Sequence, residues 1–192
     1  MSNKVNFRLI NEIEKDIIIS SISNITPKFS LILEDLKLNL YISLGKTLSK
    51  HKFLEIYLVS KYQYNLLQSL IDKIIISAGL YFGFIKKGNF FLSLEGVEFL
   101  YKNNKHSDLK KINVTNEGEK SILYGNNILK NMIVKIPINI KQKDILVIFN
   151  KYDELIAIAQ SKYDYQKIQK LKLHDTVAIT LNDKGYYLRK NQ

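Results

Sequence analysis

Ser121-Ile122-Leu123-Tyr124-Gly125-Asn126-Asn127-Ile128-Leu129-Lys130 opens the stretch on which the fold turns, and Asp183-Lys184-Gly185-Tyr186-Tyr187-Leu188-Arg189 closes it. Between these ends lie Ile145-Leu146-Val147-Ile148-Phe149, an apolar return segment Leu155-Ile156-Ala157-Ile158-Ala159, a lysine-studded stretch from Lys162 to Lys172, and Val177 to Leu181. Short β-branched runs bounded by Gly, Asn and Asp read as strands separated by turns. A short strand is expected around Ile112 to Thr115, a short helix after Gly125, and a strand from Met132 to Ile136. Asn182-Asp183-Lys184-Gly185 is expected to join the last two strands, with Gly185 available for a left-handed turn position.

Upstream, Lys102-Asn103-Asn104-Lys105-His106-Ser107-Asp108 is the longest purely polar run and marks a domain boundary, giving domains 1–108 and 109–192. In the first of these, Phe7, Ile10, Ile13 and Ile17 recur at threes and fours, which predicts an amphipathic helix from about Asn6 to Ser21 with Glu12, Glu14, Lys15 and Asp16 on its wet face. Lys37 to Ser43 and Leu54 to Leu58 alternate with period two and predict half-buried strands, with Lys46 to Lys52 between them. Ser60 is placed to cap a helix containing Tyr64, Leu67 and Ile71. Ile74-Ile75-Ile76, Tyr81 to Ile85 and Phe90 to Leu94 read as strands, the last two joined at Lys86-Lys87-Gly88-Asn89. The first half is thus a sheet flanked by helices.

These segments, in this order, carry a resemblance. Ile56-Tyr57-Leu58-Val59-Ser60, Tyr81-Phe82-Gly83, Phe90-Phe91-Leu92-Ser93-Leu94 and Val97-Glu98-Phe99-Leu100, followed by Ser121 to Asn126 and Ile128-Leu129-Lys130, are similar to the NIP-seven family of large-subunit ribosome biogenesis factors. The similarity runs from about Glu55 to Arg189. The part from Ser121 onward resembles a PUA domain, the pseudo-barrel also found on pseudouridine synthases and archaeosine transglycosylases. The chain departs from the family pattern at Met132 and Val134, at Ala157, and at Asn116-Glu117-Gly118. The implied fold class is α+β: an N-terminal antiparallel sheet flanked by helices, then a C-terminal PUA-like β pseudo-barrel.

Composition narrows the function. At 192 residues and 46% hydrophobic, the chain has enough apolar material for one core or two small ones. The absence of cysteine removes disulfides, thiolate metal sites and cysteine nucleophiles, and suits an intracellular protein. The amphipathic start and the lack of any apolar run near membrane-spanning length, about 18 residues, lead us to expect a soluble, unexported protein with no membrane partner. Asn24-Ile25-Thr26 and Asn113-Val114-Thr115 match a glycosylation acceptor by spacing and carry no weight without a secretory signal. A formal charge of +11 favours a polyanionic partner or simple solubility. Residues 121–192 hold 12 basic and 6 acidic side chains, so the shorter half carries slightly more than its share.

Catalytic signatures are weak. Leu44-Gly45-Lys46-Thr47 ends like a phosphate-binding loop, but the position that needs the first glycine is Leu40. His51, His106 and His174 have no carboxylate at metal-ligand spacing. Glu95 and Glu98 suit a helix start, where carboxylates complement the dipole. No cofactor, metal or catalytic residue is assigned.

The lysine stretch is different. As a short helix it points Ile168 and Leu171 inward while Lys167 and Lys170, three apart, point outward; Lys162 and Lys172 extend the strip. Phosphates are its natural ligand, and Tyr163 or Tyr165 is placed to stack on an unpaired base. The competing reading is a solvated helix with core tyrosines. The resemblance adds Lys130 and Lys184, which border the family's RNA surface between the first short helix and the final strands. Gly125 then has a backbone role, Arg189 is equally suited to a structural carboxylate pair, and Tyr187 and Leu188 read as core.

The expected function is a noncatalytic RNA-binding factor of large-subunit assembly. It would hold single-stranded regions of pre-rRNA through its PUA domain and other assembly factors through its N-terminal domain. Family resemblance implies the Shwachman-Bodian-Diamond syndrome protein orthologue among these partners. A monomer is expected, cytoplasmic in an archaeal-type cell or nucleolar in a eukaryotic one. The alternatives are an RNA-modification enzyme or its RNA-delivering subunit, and a protein scaffold whose basic surface meets an acidic partner.

Overall fold

The computed structural model describes residues 7–23, 25–43, 53–70, 75, 77–103 and 109–189. Two compact units divide the chain, Met1–Ser107 and Asp108–Gln192.

The first unit is built on strands β1 (Phe7–Leu9), β2 (Leu38–Ser43), β3 (Leu54–Ser60), β4 (Leu80–Lys86) and β5 (Asn89–Leu92). They pair in chain order, all antiparallel. Four helices accompany them: α1 (Glu12–Ile22), α2 (Phe29–Asp35), α3 (Lys61–Ser69) and α4 (Leu94–Asn103). Alternation sorts the strands into two faces. Ile42, Ile56 and Phe82 lie on one, where Phe82 stacks on Phe29 of α2 and meets Phe99 of α4 edge-on. Tyr41, Tyr57 and Val59 lie on the other and pack with Phe7, Tyr81 and the inner side of α3, Tyr64 and Leu67. A register shift between Ile56 and Tyr57 keeps Tyr81 opposite Tyr57 while Gly83 faces Ile56. The extra residue, Phe82, is thereby turned to the α2 and α4 side.

The start of the chain differs from the expected single helix. Phe7 lies in β1, opposite Ser43, and only from Glu12 does the backbone turn helical. Asn11 sets that start with a reciprocal capping box: its side chain accepts from the Glu14 amide, and Glu14 accepts from the Asn11 amide, both at 2.8 Å. Phe7 instead stacks on Tyr41. Ile13, expected inside, is 73% exposed, whereas Ile18 and Ile22 are buried. Periodicity across Phe7 to Ile17 therefore spanned two elements. Helix α2 had no counterpart in the sequence reading. Ser60 caps α3 as expected, through a box with Gln63. The expected strand at Ile74 to Ile76 and the segment Lys46 to Lys52 fall outside the described residues, except that Ile75 is not in a strand.

The second unit comprises β6 (Lys110–Val114), α5 (Asn116–Leu123), β7 (Ile128–Leu129), a 3₁₀ turn at Lys130–Met132, β8 (Ile133–Lys135), β9 (Ile145–Phe149), β10 (Leu155–Ser161), α6 (Tyr165–Lys170), β11 (Thr176–Asp183) and α7 (Tyr186–Arg189). The sheet order is β7-β11-β10-β9-β6-β8, antiparallel except for the parallel pair β6 and β9. The two edge strands, β7 and β8, are separated in sequence only by the 3₁₀ turn, so the sheet must curl until its edges nearly meet, the pseudo-barrel geometry. Its interior is filled by Ile112, Ile122, Ile128, Leu146, Ile148, Ile156 and Val177, all buried.

Two local expectations fail here. The helix precedes Gly125 rather than following it, because Thr115 caps α5 and Glu117 and Glu119 occupy its first turn, while Gly125 leaves the helix at φ +88°. The chain does not turn at Lys184-Gly185 into a final strand: β11 is the last, and α7 follows. Gly185 is not in the left-handed region; a Cβ there would run into the Leu123 carbonyl oxygen. Close approach, not turn geometry, requires this glycine.

Candidate nucleic-acid interface

The lysine stretch folds into α6 at one end of the barrel. Ile168 is buried, Leu171, Tyr163 and Tyr165 pack half-buried against the same core, and Lys167, Lys170 and Lys172 are exposed. The frame under them is tied at both ends. Asp164 accepts the Gln142 amide at 2.6 Å before the first turn. At the other end the Lys130 ammonium donates to the carbonyls of Gln169 (2.6 Å) and Leu171 (2.7 Å). A cation on the last carbonyls of a helix satisfies acceptors that have no partner within it. Two of the three donors of Lys130 are thus committed to holding α6 in place.

Tyr163 organises the charge rather than lying bare. The ammonium of Lys167 sits 4.3 Å from the centroid of its ring and that of Lys162 5.4 Å. Both are attracted to the negative face of the π-system. The acidic side chains of the stretch are turned to backbone amides: Asp164 as above, and Asp175 to the Lys172 amide at 2.8 Å. Among the described residues, Lys162, Lys167, Lys170 and Lys172 form no ion pair. The result is a basic strip in which Lys162 and Lys167 are positioned over Tyr163 and no lysine is neutralised by an ion pair among the described residues.

Tertiary structure adds two lysines to this strip that the sequence reading missed. The Lys143 amide donates to the Ser161 carbonyl and the Ser161 amide to Asp144, each at 2.9 Å, which lays the loop carrying the exposed Lys141 and Lys143 beside the approach to α6. The pattern Lys141-Gln142-Lys143 was the available signal, but nothing local ties it to residues some twenty positions on.

Lys184 is not part of this cluster. It lies past the far end of β11, a strand of 8 residues, hence about 25 Å from the α6 end by strand rise. There it adjoins the C-terminal end of α5, where Tyr124 is 77% exposed. The neighbouring Arg189 is structural. Its guanidinium forks onto the buried Asp183 carboxylate at 2.8 and 2.9 Å, also donates to the Leu123 carbonyl, and lies against Gly125. The Asp183 hydrogen bonds raise the Arg189 pKa further above its ordinary value. Nothing is described of the Tyr187 and Leu188 side chains.

The other candidates for chemistry disperse. Glu98 pairs with Lys102 at 2.7 Å, one turn along α4, and Glu95 lies in the first turn of that helix. His174 is exposed, while His51, His106 and the Leu44 to Thr47 fragment lie outside the described residues. Among the described residues no group of three or more His, Cys, Asp or Glu could hold a metal ion, and no helix is long and apolar enough to cross a membrane.

A curled sheet closed by consecutive edge strands, with a capped helix beside it, is the arrangement of a PUA-type domain. Residues 110–192 match the family described as the UPF0113 PUA domain. The chain is 27% identical over 135 residues to the 60S ribosome subunit biogenesis protein nip7 of Schizosaccharomyces pombe, covering 70% of this chain and 73% of the yeast protein. A PUA domain protein from Thermoplasma acidophilum shares the fold with a TM-score of 0.61 at 14% identity, covering 97% of this chain and 99% of its own. A PUA domain protein from Aeropyrum pernix K1, solved as a tartrate complex, gives 0.62 at 11% identity, covering 97% and 92%. At such identities these structures speak for the fold alone. The second unit thus carries a match to a PUA family model, and the chain as a whole is similar to a NIP-seven protein over most of its length.

Proposed function

We propose that this protein is a noncatalytic RNA-binding factor of large ribosomal subunit biogenesis, with domains 1–108 and 109–192 acting as separate contacts. The observation that carries the reading is the unneutralised lysine strip on α6 of a PUA domain, in a chain related to a named 60S biogenesis protein. Lys162, Lys167, Lys170 and Lys172, joined by Lys141 and Lys143, would grip successive phosphates of pre-rRNA in single-stranded regions. Lys130 supports the strip from behind. Tyr163 positions two of the ammoniums, and Tyr165 packs beneath, so stacking on bases is the lesser role for both. Lys184, with the exposed Tyr124, would meet RNA only as a separate contact at the other end of β11. The N-terminal domain would bind another assembly factor, for which family resemblance implies the Shwachman-Bodian-Diamond syndrome protein orthologue, in the cytoplasm of an archaeal-type cell or the nucleolus of a eukaryotic one.

Charge reversal tests the grip. Lys167→Glu with Lys170→Glu should leave the thermal melt unchanged while weakening single-stranded RNA binding. It should also lower the slope of log affinity against log salt by about 1.4, from about 0.7 per phosphate contact. An unchanged affinity and slope would remove α6 from the interface. Crosslinking in cells should recover large-subunit pre-rRNA; a predominance of tRNA would instead favour a role in RNA modification.

A further inference from the structure

On the sheet face that carries Tyr57, the end away from α3 bears a row of stacked rings. Phe53 and Phe84 stand 5.1 Å apart between centroids at 29°, and Phe84 and Phe91 5.2 Å apart at 16°. The register explains the row: Phe84 lies directly opposite Phe91 on β5 and Glu55 on β3, and the shift at Phe82 leaves Phe84 on this face while Phe82 goes to the helices. Helix α3 covers only the Tyr41, Tyr57 and Val59 part of the face. Phe91, on the edge strand, is 46% exposed, and Phe84 is half-buried.

Cations stand at the end of the row. The Lys86 ammonium lies 4.7 Å over the Phe53 ring, and Lys87 (φ 50°) follows it in the tight turn that Gly88 (φ 74°) completes, both lysines being exposed. Glu55, the carboxylate in the row, is turned to the Tyr57 hydroxyl, which donates to it at 2.9 Å. Phe84 is sandwiched between Phe53 and Phe91, so the open ring of the row is Phe91 on the edge strand. An exposed ring with lysines on the same hairpin combines the two features that hold unpaired nucleotides, a π-face for a base and ammoniums for phosphates. An apolar protein segment would gain nothing from the adjacent pair of lysines.

We propose that this face of the N-terminal sheet is a second RNA contact, stacking an unpaired base on the outer ring of the row, Phe91, while Lys86 and Lys87 meet the flanking phosphates. It is independent of α6, so the two can fail separately. The test uses the full chain and a fluorescent single-stranded octaribonucleotide, with a duplex of the same sequence as control. Phe91→Leu keeps apolar volume without a ring face. It should weaken single-strand binding by about 5- to 150-fold, the range for one stacked base, and leave duplex binding unchanged. Lys86→Glu with Lys87→Glu should lower the salt slope, and photocrosslinks from 4-thiouridine should map to residues 84–91. Both effects should persist in the Lys167→Glu, Lys170→Glu background. If the α6 reading fails, only those two reversals become silent. Parental single-strand affinity in both N-terminal variants, with no crosslink at 84–91, would overturn the proposal and return the row to packing or to a protein partner.

Discussion

The basic strip on α6 and the phenylalanine row on the N-terminal sheet are opposite ways of presenting a surface. On α6 the charges are exposed and one aromatic ring, Tyr163, fixes two of them. On the sheet the rings form the surface and one lysine, Lys86, rests on the row. The strip depends on a short helix clamped at each end, whereas the row depends on strand register, which alternation imposes over β3, β4 and β5 at once. A six-residue helix has little stability of its own. A surface made of charge on a short helix therefore needs clamps at the helix ends, whereas a surface made of register is held by the strand pairing itself.

The largest expected effect breaks the frame of the second unit. Gly185→Ala forces a Cβ against the Leu123 carbonyl oxygen and should destabilise this unit by about 3 kcal/mol. In a differential melt or hydrogen exchange, amides of β9, β10 and β11 should lose protection while those of β2 and β3 keep theirs. Uniform loss in both units would show that they unfold as one.

A smaller effect separates frame from charge within the strip. Lys130→Met keeps the apolar stem and removes both hydrogen bonds that close α6, which should cost about 1 to 2 kcal/mol. Exchange should accelerate at Ile168 to Leu171. If Lys130 serves the helix, the salt slope of RNA binding stays near the parental value; a drop of about 0.7 would make it a phosphate contact.

The smallest effect lies in the first unit. Glu14 accepts from both Arg8 guanidinium nitrogens and from the Asn11 amide, and these bonds, the Arg8 pair foremost, hold its carboxyl below the ordinary glutamate range. Its pKa is lower folded than unfolded. The contribution to stability is therefore complete above the ordinary glutamate value, about 4.3, and is lost as pH falls through the folded value. Glu14→Gln should cost about 1 kcal/mol at neutral pH and flatten the acid limb of the stability profile. A parallel acid limb would assign that limb to other carboxylates.

Much of this molecule was legible in its sequence. Strands β2, β3, β4, β9, β10 and β11 follow from apolar runs of fitting length, and the Ser60 cap and the inward Ile168 with outward Lys167 and Lys170 follow from local chemistry. These depend on neighbours within a few positions. The failures have separate causes. Phe7 mimicked a helical repeat because an aromatic suited to a sheet cluster fell at helical spacing. Gly125 was given the wrong side of its helix because a positive φ ends a helix as well as it opens a turn.

The sequence alone thus determined the class of fold, the division into an α/β part and a β-rich basic part, and which lysines stand on the outer side of α6. Tertiary structure decided the rest, because each remaining role depends on a partner distant in the chain. Lys130 became a clamp through carbonyls 39 and 41 positions away. Lys141 and Lys143 reached the strip through Ser161. Gly185 became irreplaceable through Leu123. Phe53, Phe84 and Phe91, ordinary strand residues one by one, became a continuous surface only when three strands were set in register. Propensity and periodicity are short-range; close approach, charge clustering and ring stacking are set by where the folded chain brings residues together.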